Sequence, residues 1–204
     1  MTLKLYYSPG ACSLASHIAL HEAGLAHTLA KVNVKAHKLE DGTDFYTINP
    51  LGYVPFLALD DGRHLAEGAA ILQYIADQAP EKNLAPANGT WERYTLQSHL
   101  NFIATEIHKN YTPLFKPGST PEAKAQAVET LQNRYGHLNG LLQDRPYLLG
   151  EFFSVADAYL FTTLNWAALV QVDLSKWSHL QALRERTAAR PAVQAALKAE
   201  GLLK

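Results

Sequence analysis
Up to about residue 79 the chain alternates two kinds of hydrophobic pattern. The run "LKLYY" at 3–7 predicts a strand, and the largely apolar stretch from about Ala11 to Ala23 predicts a helix that stops at Gly24, whose missing Cβ suits a left-handed cap. A second strand is expected over 27–34, "HTLAKVNV", followed by an irregular region around "LEDGTDFYTINP". In "VPFLALDDGRHLAEG" two apolar runs flank Asp61-Gly62, a pair that readily takes the positive φ of a tight turn, so a hairpin is expected. A helix from about Gly68 to Gln78 closes this half.

The order βαβ, then ββα, on a small mixed sheet predicts a thioredoxin-like domain over 1–79. "APEKNLAPANGT" is rich in Pro, Gly and Asn and reads as a linker over 80–90, after which strand signals stop. Helices are expected at about 91–115, 121–143, 154–170, 177–188 and 191–200, with Pro113, Pro117, Pro121, Pro146 and Pro191 near the breaks, where a missing N–H does least harm. The fold class is therefore α/β plus all-α, a thioredoxin-like N-terminal domain followed by an all-helical domain over 91–204.

Composition narrows the possible partners. Lys and Arg total 18 against 19 Asp and Glu, and no segment gathers like charge, which disfavours nucleic acid and anionic membranes and leaves small neutral or zwitterionic ligands. The single cysteine excludes an internal disulfide and a cysteine metal cluster, and it fits a reducing compartment. The start "MTLKLYYSPG" lacks the apolar core of a secretory signal, and no apolar run approaches the ~18 residues that cross a bilayer, so a cytoplasmic protein is expected. Of nine scattered histidines only His17 and His21 share helical i,i+4 spacing, with no carboxylate placed to complete a site, so no metal is expected.

That cysteine, Cys12 in "YYSPGACSLASHIALHEAG", stands where the first strand stops and the first helix begins. At a helix start, free N–H groups and the positive end of the dipole stabilise a thiolate, so its pKa is expected to fall. The competing reading is a small buried hydrophobe. No C-x-x-C pair exists, so any disulfide chemistry takes its second sulfur from a ligand.

Taken in order and spacing, "YYSPGACSLASHIAL", "NPLGYVPFLALDDG", "LAEGAAILQYIAD", "NFIATEIHKNYTPLF" and "FSVADAYLF" resemble the bacterial beta class of glutathione S-transferases over essentially the whole chain. The resemblance implies glutathione as co-substrate, a homodimer, and Cys12 beside the glutathione sulfur, able to form a mixed disulfide with it. It further implies a cis bond before Pro55, which would present the backbone of Val54 to the tripeptide as an added strand. Glu67 and the Gly68 N–H would hold the γ-glutamyl end at a helix start. Where family members commonly carry a hydroxyl residue after the acid, this chain has Gly68, and where a lysine is expected near the glycyl carboxylate it has His37, beside Lys38. The first loses a side-chain contact but keeps the backbone donor, and the second points to weaker or more pH-dependent glutathione binding, because an imidazole titrates near neutrality.

Ser98, Asn101, Thr105, His108 and Thr112 fall at spacings of 3, 4, 3 and 4, an uncharged polar stripe suited to a cleft or a subunit boundary, while Leu96, Leu100, Ile103 and Ile107 occupy another face. An imidazole can donate to a sulfur anion or accept a proton. By resemblance His108 acts near the thiol with Cys12, Lys109 lies close by, and Asn101 reaches glutathione on the other subunit; Tyr7 ranks below Cys12 as an activator. Tyr111, Phe115, Tyr159 and Trp166 are candidate walls for an apolar electrophile, although helical aromatics are more often core. Ser154 to Asp157 has the spacing of a capping box, which makes Asp157 structural.

The expected activity is conjugation of glutathione to hydrophobic electrophiles, with thiol–disulfide exchange through a Cys12–glutathione mixed disulfide. Two alternatives are a non-catalytic glutathione or apolar-ligand binding protein on the same fold and a monothiol glutaredoxin-like reductase. Retention of Cys12, Val54, Pro55, Glu67 and His108 argues against the first, and the helical residues His108 and Asn101 against the second.

Overall fold
The computed structural model describes residues 2–203. In chain order the elements are β1 (Leu3–Tyr7), α1 (Ser13–Ala23), β2 (His27–Asn33), β3 (Lys38–Leu39), β4 (Phe56–Leu59), β5 (His64–Leu65), α2 (Gly68–Asp77), α3 (Trp91–Phe102), α4 (Thr112–Phe115), α5 (Pro121–Leu141), α6 (Val155–Leu169), α7 (Ser178–Ala188) and α8 (Pro191–Ala199). Two compact units result, one of Met1–Ala85 with Ala189–Lys204, the other of Pro86–Ala188.

In the first unit a mixed sheet runs in the order β3-β2-β1-β4-β5, with β1 parallel to β2 and the other neighbours antiparallel. Alternation along β1 divides its side chains between the faces. Leu3 and Leu5, with Leu57 opposite Leu5, are buried in the face that α1 and α2 cover. Tyr6 joins Val32, Phe45 and Phe56 in a separate cluster. Gly24 closes α1 at a φ of 67°, and Gly62 turns the β4–β5 hairpin at 85°, as the sequence predicts. The irregular region also contains β3 and a 3-10 turn at Phe45–Thr47, which Asp44 caps by accepting from the Tyr46 N–H.

The unit boundary differs from the sequence reading, which gives all of 91–204 to the helical domain. α8 packs on α1 instead, with Val193 and Ala196 fully buried. Arg190 donates from two nitrogens to both oxygens of Glu22, at 2.5 and 2.9 Å, and Glu200 accepts from the Gly10 N–H at 2.9 Å. A helical period shows that 191–199 is a helix, but not which neighbour it covers. Because the Glu22 side chain is only 11% exposed, Arg190→Ala leaves a poorly solvated carboxylate. The substitution is expected to cost about 2 kcal/mol in urea unfolding; a loss below ~0.5 kcal/mol would show the pair to be surface decoration.

In the second unit the predicted single helix over 91–115 is an unbroken helical run of changing pitch. α3 gives way to a π-helical turn at Ile103–His108, a 3-10 turn at Lys109–Tyr111, and then α4. The wider π turn shifts the side-chain register beyond Phe102. Leu96, Leu100, Ile103 and Ile107 are all fully buried, as their spacing predicts. Four members of the polar stripe, Ser98, Asn101, Thr105 and Thr112, are exposed, whereas His108 is turned partly inward.

α6 is the buried centre of this unit. At its start Asp157 Oδ2 accepts from the Ser154 N–H and hydroxyl at 2.8 and 2.7 Å, and Oδ1 accepts from the Leu148 N–H at 2.8 Å. The structural role read from the S-x-x-D spacing is the one it plays. No helix of the described residues is long and apolar enough to cross a membrane.

Candidate active site
Cys12 is the N-cap of α1, just before the helix begins at Ser13, and is half-buried. The turn ahead of it is closed by Ser13, whose hydroxyl accepts from the Ser8 N–H at 3.1 Å, and by Gly10 at a φ of 70°. Its Sγ donates to the carbonyl oxygen of Val54 at 3.1 Å. Val54 is followed by a cis bond to Pro55, as the resemblance implies, and it lies outside the β1–β4 ladder, which begins at Phe56.

The expected fall in the Cys12 pKa does not occur; burial pushes the thiol up to about 12. The N–H groups of Cys12 and Ser13 pull the other way, as a helix start should, and the Glu67 charge adds to the rise. Desolvation wins because no cationic side chain is among the groups acting on the sulfur. At neutral pH Cys12 is therefore a thiol, able to donate one hydrogen bond.

Glu67 caps α2 from a left-handed φ of 67°, with its side chain exposed. The first backbone bonds of that helix run from Ala70 and Ile71 to the Glu67 carbonyl, so the Gly68 and Ala69 N–H groups precede them and point out of the helix start. Gly68 adjoins Pro55, since a Cβ there would lie 3.7 Å from the proline Cγ. Cys12, Val54, Pro55, Glu67 and Gly68 thus converge within one unit. His37 stands on the same loop system. It takes a φ of 52°, packs its ring tilted against Tyr46 with centroids 4.5 Å apart, and places Nδ1 3.3 Å from the Gly52 carbonyl, two residues before Val54. Tyr7 is buried and its hydroxyl pKa is raised, first by burial and then by Glu200, which makes it a poor source of phenolate.

In the helical unit Asn101 and Lys109 are exposed. His108 Nδ1 lies 2.7 Å from the Tyr159 hydroxyl, and its ring meets Trp166 edge-on at 4.8 Å. Burial, then the charge of Lys109, lowers the imidazole pKa to about 4, so it is neutral at pH 7 with Nε2 left for a ligand. Of the candidate wall aromatics, Tyr111 is core, bonded through its hydroxyl to Tyr135, while Phe115 is 47% exposed against Tyr111 and Trp166. Sequence reading did not find Tyr159 as the partner of His108, 51 residues away, nor Glu200 as the acceptor for the Gly10 N–H. No local spacing signals either.

The first unit is a thioredoxin-like domain with a one-cysteine site, and an all-helical unit follows it in sequence. Residues 10–78 match the glutathione S-transferase N-terminal domain and residues 102–191 the C-terminal domain. Glutathione S-transferase GstA of Escherichia coli O157:H7 is 48% identical over 201 residues, 98% of this chain and 100% of that protein. The bacterial beta class glutathione S-transferase of Sphingomonas chungbukensis superposes with a TM-score of 0.95 at 52% identity, covering 98% of this chain and 100% of that one. A sphingomonad glutathione S-transferase solved in complex with glutathione gives 0.94 at 50% identity, with coverage of 98% and 100%. The chain belongs to the glutathione S-transferase family, in its bacterial beta class.

Proposed function
We propose that the protein conjugates glutathione to hydrophobic electrophiles, and that Cys12 also exchanges with glutathione disulfide through a mixed disulfide. The observation that carries this reading is the convergence of the Cys12 thiol, the Val54 backbone and the start of α2 within one thioredoxin-like unit. The backbone of Val54 pairs with the tripeptide as an added strand. Gly68 N–H and Glu67 hold the γ-glutamyl carboxylate and ammonium, and His37, beside Lys38, meets the glycyl carboxylate. Roles for His108 at the sulfur and for Asn101 and Lys109 toward glutathione rest on family membership.

As a neutral thiol, Cys12 donates to the glutathione thiolate and stabilises it. The thiolate then attacks the electrophilic carbon, a C–S bond forms, and the leaving group departs with the electron pair. In exchange, the Cys12 thiolate attacks glutathione disulfide, forming Cys12–S–SG and releasing one glutathione thiolate. Exposed Trp91 and Tyr94, 79% and 57% accessible at i,i+3 on α3, support self-association as a homodimer, and the single cysteine supports a reducing, cytoplasmic setting for detoxification.

Cys12→Ala separates the two chemistries. We expect exchange with glutathione disulfide to vanish, while conjugation to an activated aryl halide falls only about tenfold, the worth of one hydrogen bond to a charged sulfur. Equal loss of both would sink this division of roles, and absence of glutathione-dependent turnover in the parent protein would sink the transferase reading itself.

A further inference from the structure
We propose that His17, His21 and His27 form a site for one divalent first-row transition-metal ion of the zinc type. His17 and His21 stand one turn apart on α1, and His27 opens β2 just beyond the Gly24 turn. One ring nitrogen from each lies within 4.8 Å of the others. Nε2 of His17 and Nε2 of His21 are 3.2 Å apart. That is close to the edge of a tetrahedron with metal–nitrogen bonds of about 2.0–2.1 Å, and metal binding requires the half-buried His21 and His27 rings to move inward and close the remaining gap.

The outer partners aim the rings. His17 Nδ1 lies 2.9 Å from Glu200 Oε1, with both side chains fully buried, and the other oxygen of Glu200 is held by the Gly10 N–H. His27 Nδ1 lies 2.8 Å from the Leu25 carbonyl. A histidine whose Nδ1–H donates to a carboxylate or a carbonyl presents the lone pair of Nε2 to a metal, and such partners fix both tautomer and ring orientation. A simple hydrogen-bond chain explains the contact between His17 and His21. It does not explain His27, whose ring meets those two edge-on at 5.6 and 5.1 Å and, among the described residues, has no hydrogen bond to either. Three imidazole ligands with a carboxylate behind one of them suit Zn2+, Co2+ or Ni2+ better than Mg2+ or Ca2+, which favour oxygen.

The ion would clip α1 to the start of β2 and, through Glu200, to the end of α8. This inference does not depend on the transferase reading. The test uses chelator-stripped full-length protein carrying Cys12→Ser, so that no thiol competes. Calorimetric titration with Zn2+ is expected to show a single equivalent bound, and Co2+ to give the intense visible absorption of a tetrahedral site. His21→Gln and His27→Gln, both at half-buried positions, should each weaken Zn2+ binding by about 100-fold or more and abolish the Co2+ spectrum, and Glu200→Gln should weaken it about 10- to 100-fold. His64→Gln, at an exposed histidine outside the cluster, should change neither. Binding that survives both cluster substitutions, a Co2+ spectrum without tetrahedral intensity, or less than one equivalent in the parent would overturn the site.

Discussion

Cys12 is expected to react with iodoacetamide at pH 7 about a hundredfold more slowly than an unperturbed cysteine, and its rate should climb about tenfold per pH unit with no plateau below pH 10. Burial pushes the thiol pKa up to about 12. An ordinary thiol of pKa about 8.5 is a few per cent thiolate at pH 7, whereas one near 12 is about 10⁻⁵ thiolate, a deficit of roughly 3,000-fold. The more basic thiolate is the better nucleophile, and a Brønsted slope of about 0.4–0.5 returns some 25- to 50-fold of that. About a hundredfold remains. A plateau at pH 7–8 would mean that the N–H groups at the start of α1 outweigh burial, restoring the activated thiolate that the sequence suggests. The same pH profile should govern mixed-disulfide formation with glutathione disulfide. Conjugation, in which the role proposed for Cys12 is only to donate a hydrogen bond, should not follow it.

The second large effect lies at Asp157. Both Asp157→Ala and Asp157→Asn are expected to destabilise the protein at pH 7.5 by about 3–4 kcal/mol, lowering the melting temperature by roughly 10 °C. Burial raises the carboxyl pKa to about 6, so at pH 7.5 it is mostly ionised and acceptor-only. Its two oxygens accept from the N–H groups of Ser154 and Leu148 and from the Ser154 hydroxyl, all buried. Alanine strands those donors. Asparagine is no better, because its NH₂ must face one of the two N–H groups whichever way the amide turns. If Asn were tolerated within ~1 kcal/mol, only one carboxylate oxygen would matter. A calorimetric or thermal-shift comparison of the three proteins decides it.

Much of this molecule follows from local pattern. The short apolar runs "LKLYY" and "VPFLAL", each ended by turn residues, identify strands because a strand covered on both faces buries nearly every side chain over four or five residues. The S-x-x-D spacing identifies Asp157 as a cap because its main partner, Ser154, is three residues away. The placement of Cys12 at a helix start is likewise local, as are the glycine stops.

What the tertiary structure decided involves partners far apart in the chain. The acceptor of the Cys12 thiol is 42 residues away, and the burial that reverses its pKa comes from the packed surroundings, which a helix-dipole argument omits. The helical period of 191–199 is silent on its neighbour; Arg190 and Glu200 reach back 168 and 183 residues to Glu22 and His17 to settle it. The pitch change at Ile103–His108 leaves no mark in the hydrophobic pattern, yet it accompanies the inward turn of His108 toward Tyr159. On the chain His17 and His21 are a pair without a third ligand; only folding brings His27 and Glu200 beside them. Local spacing fixes which residues share a face, so sequence determined the elements and the position of the thiol. Desolvation and long-range pairing depend on what covers that face, so the protonation state of Cys12, the placement of α8 and the histidine cluster were decided by the tertiary structure alone.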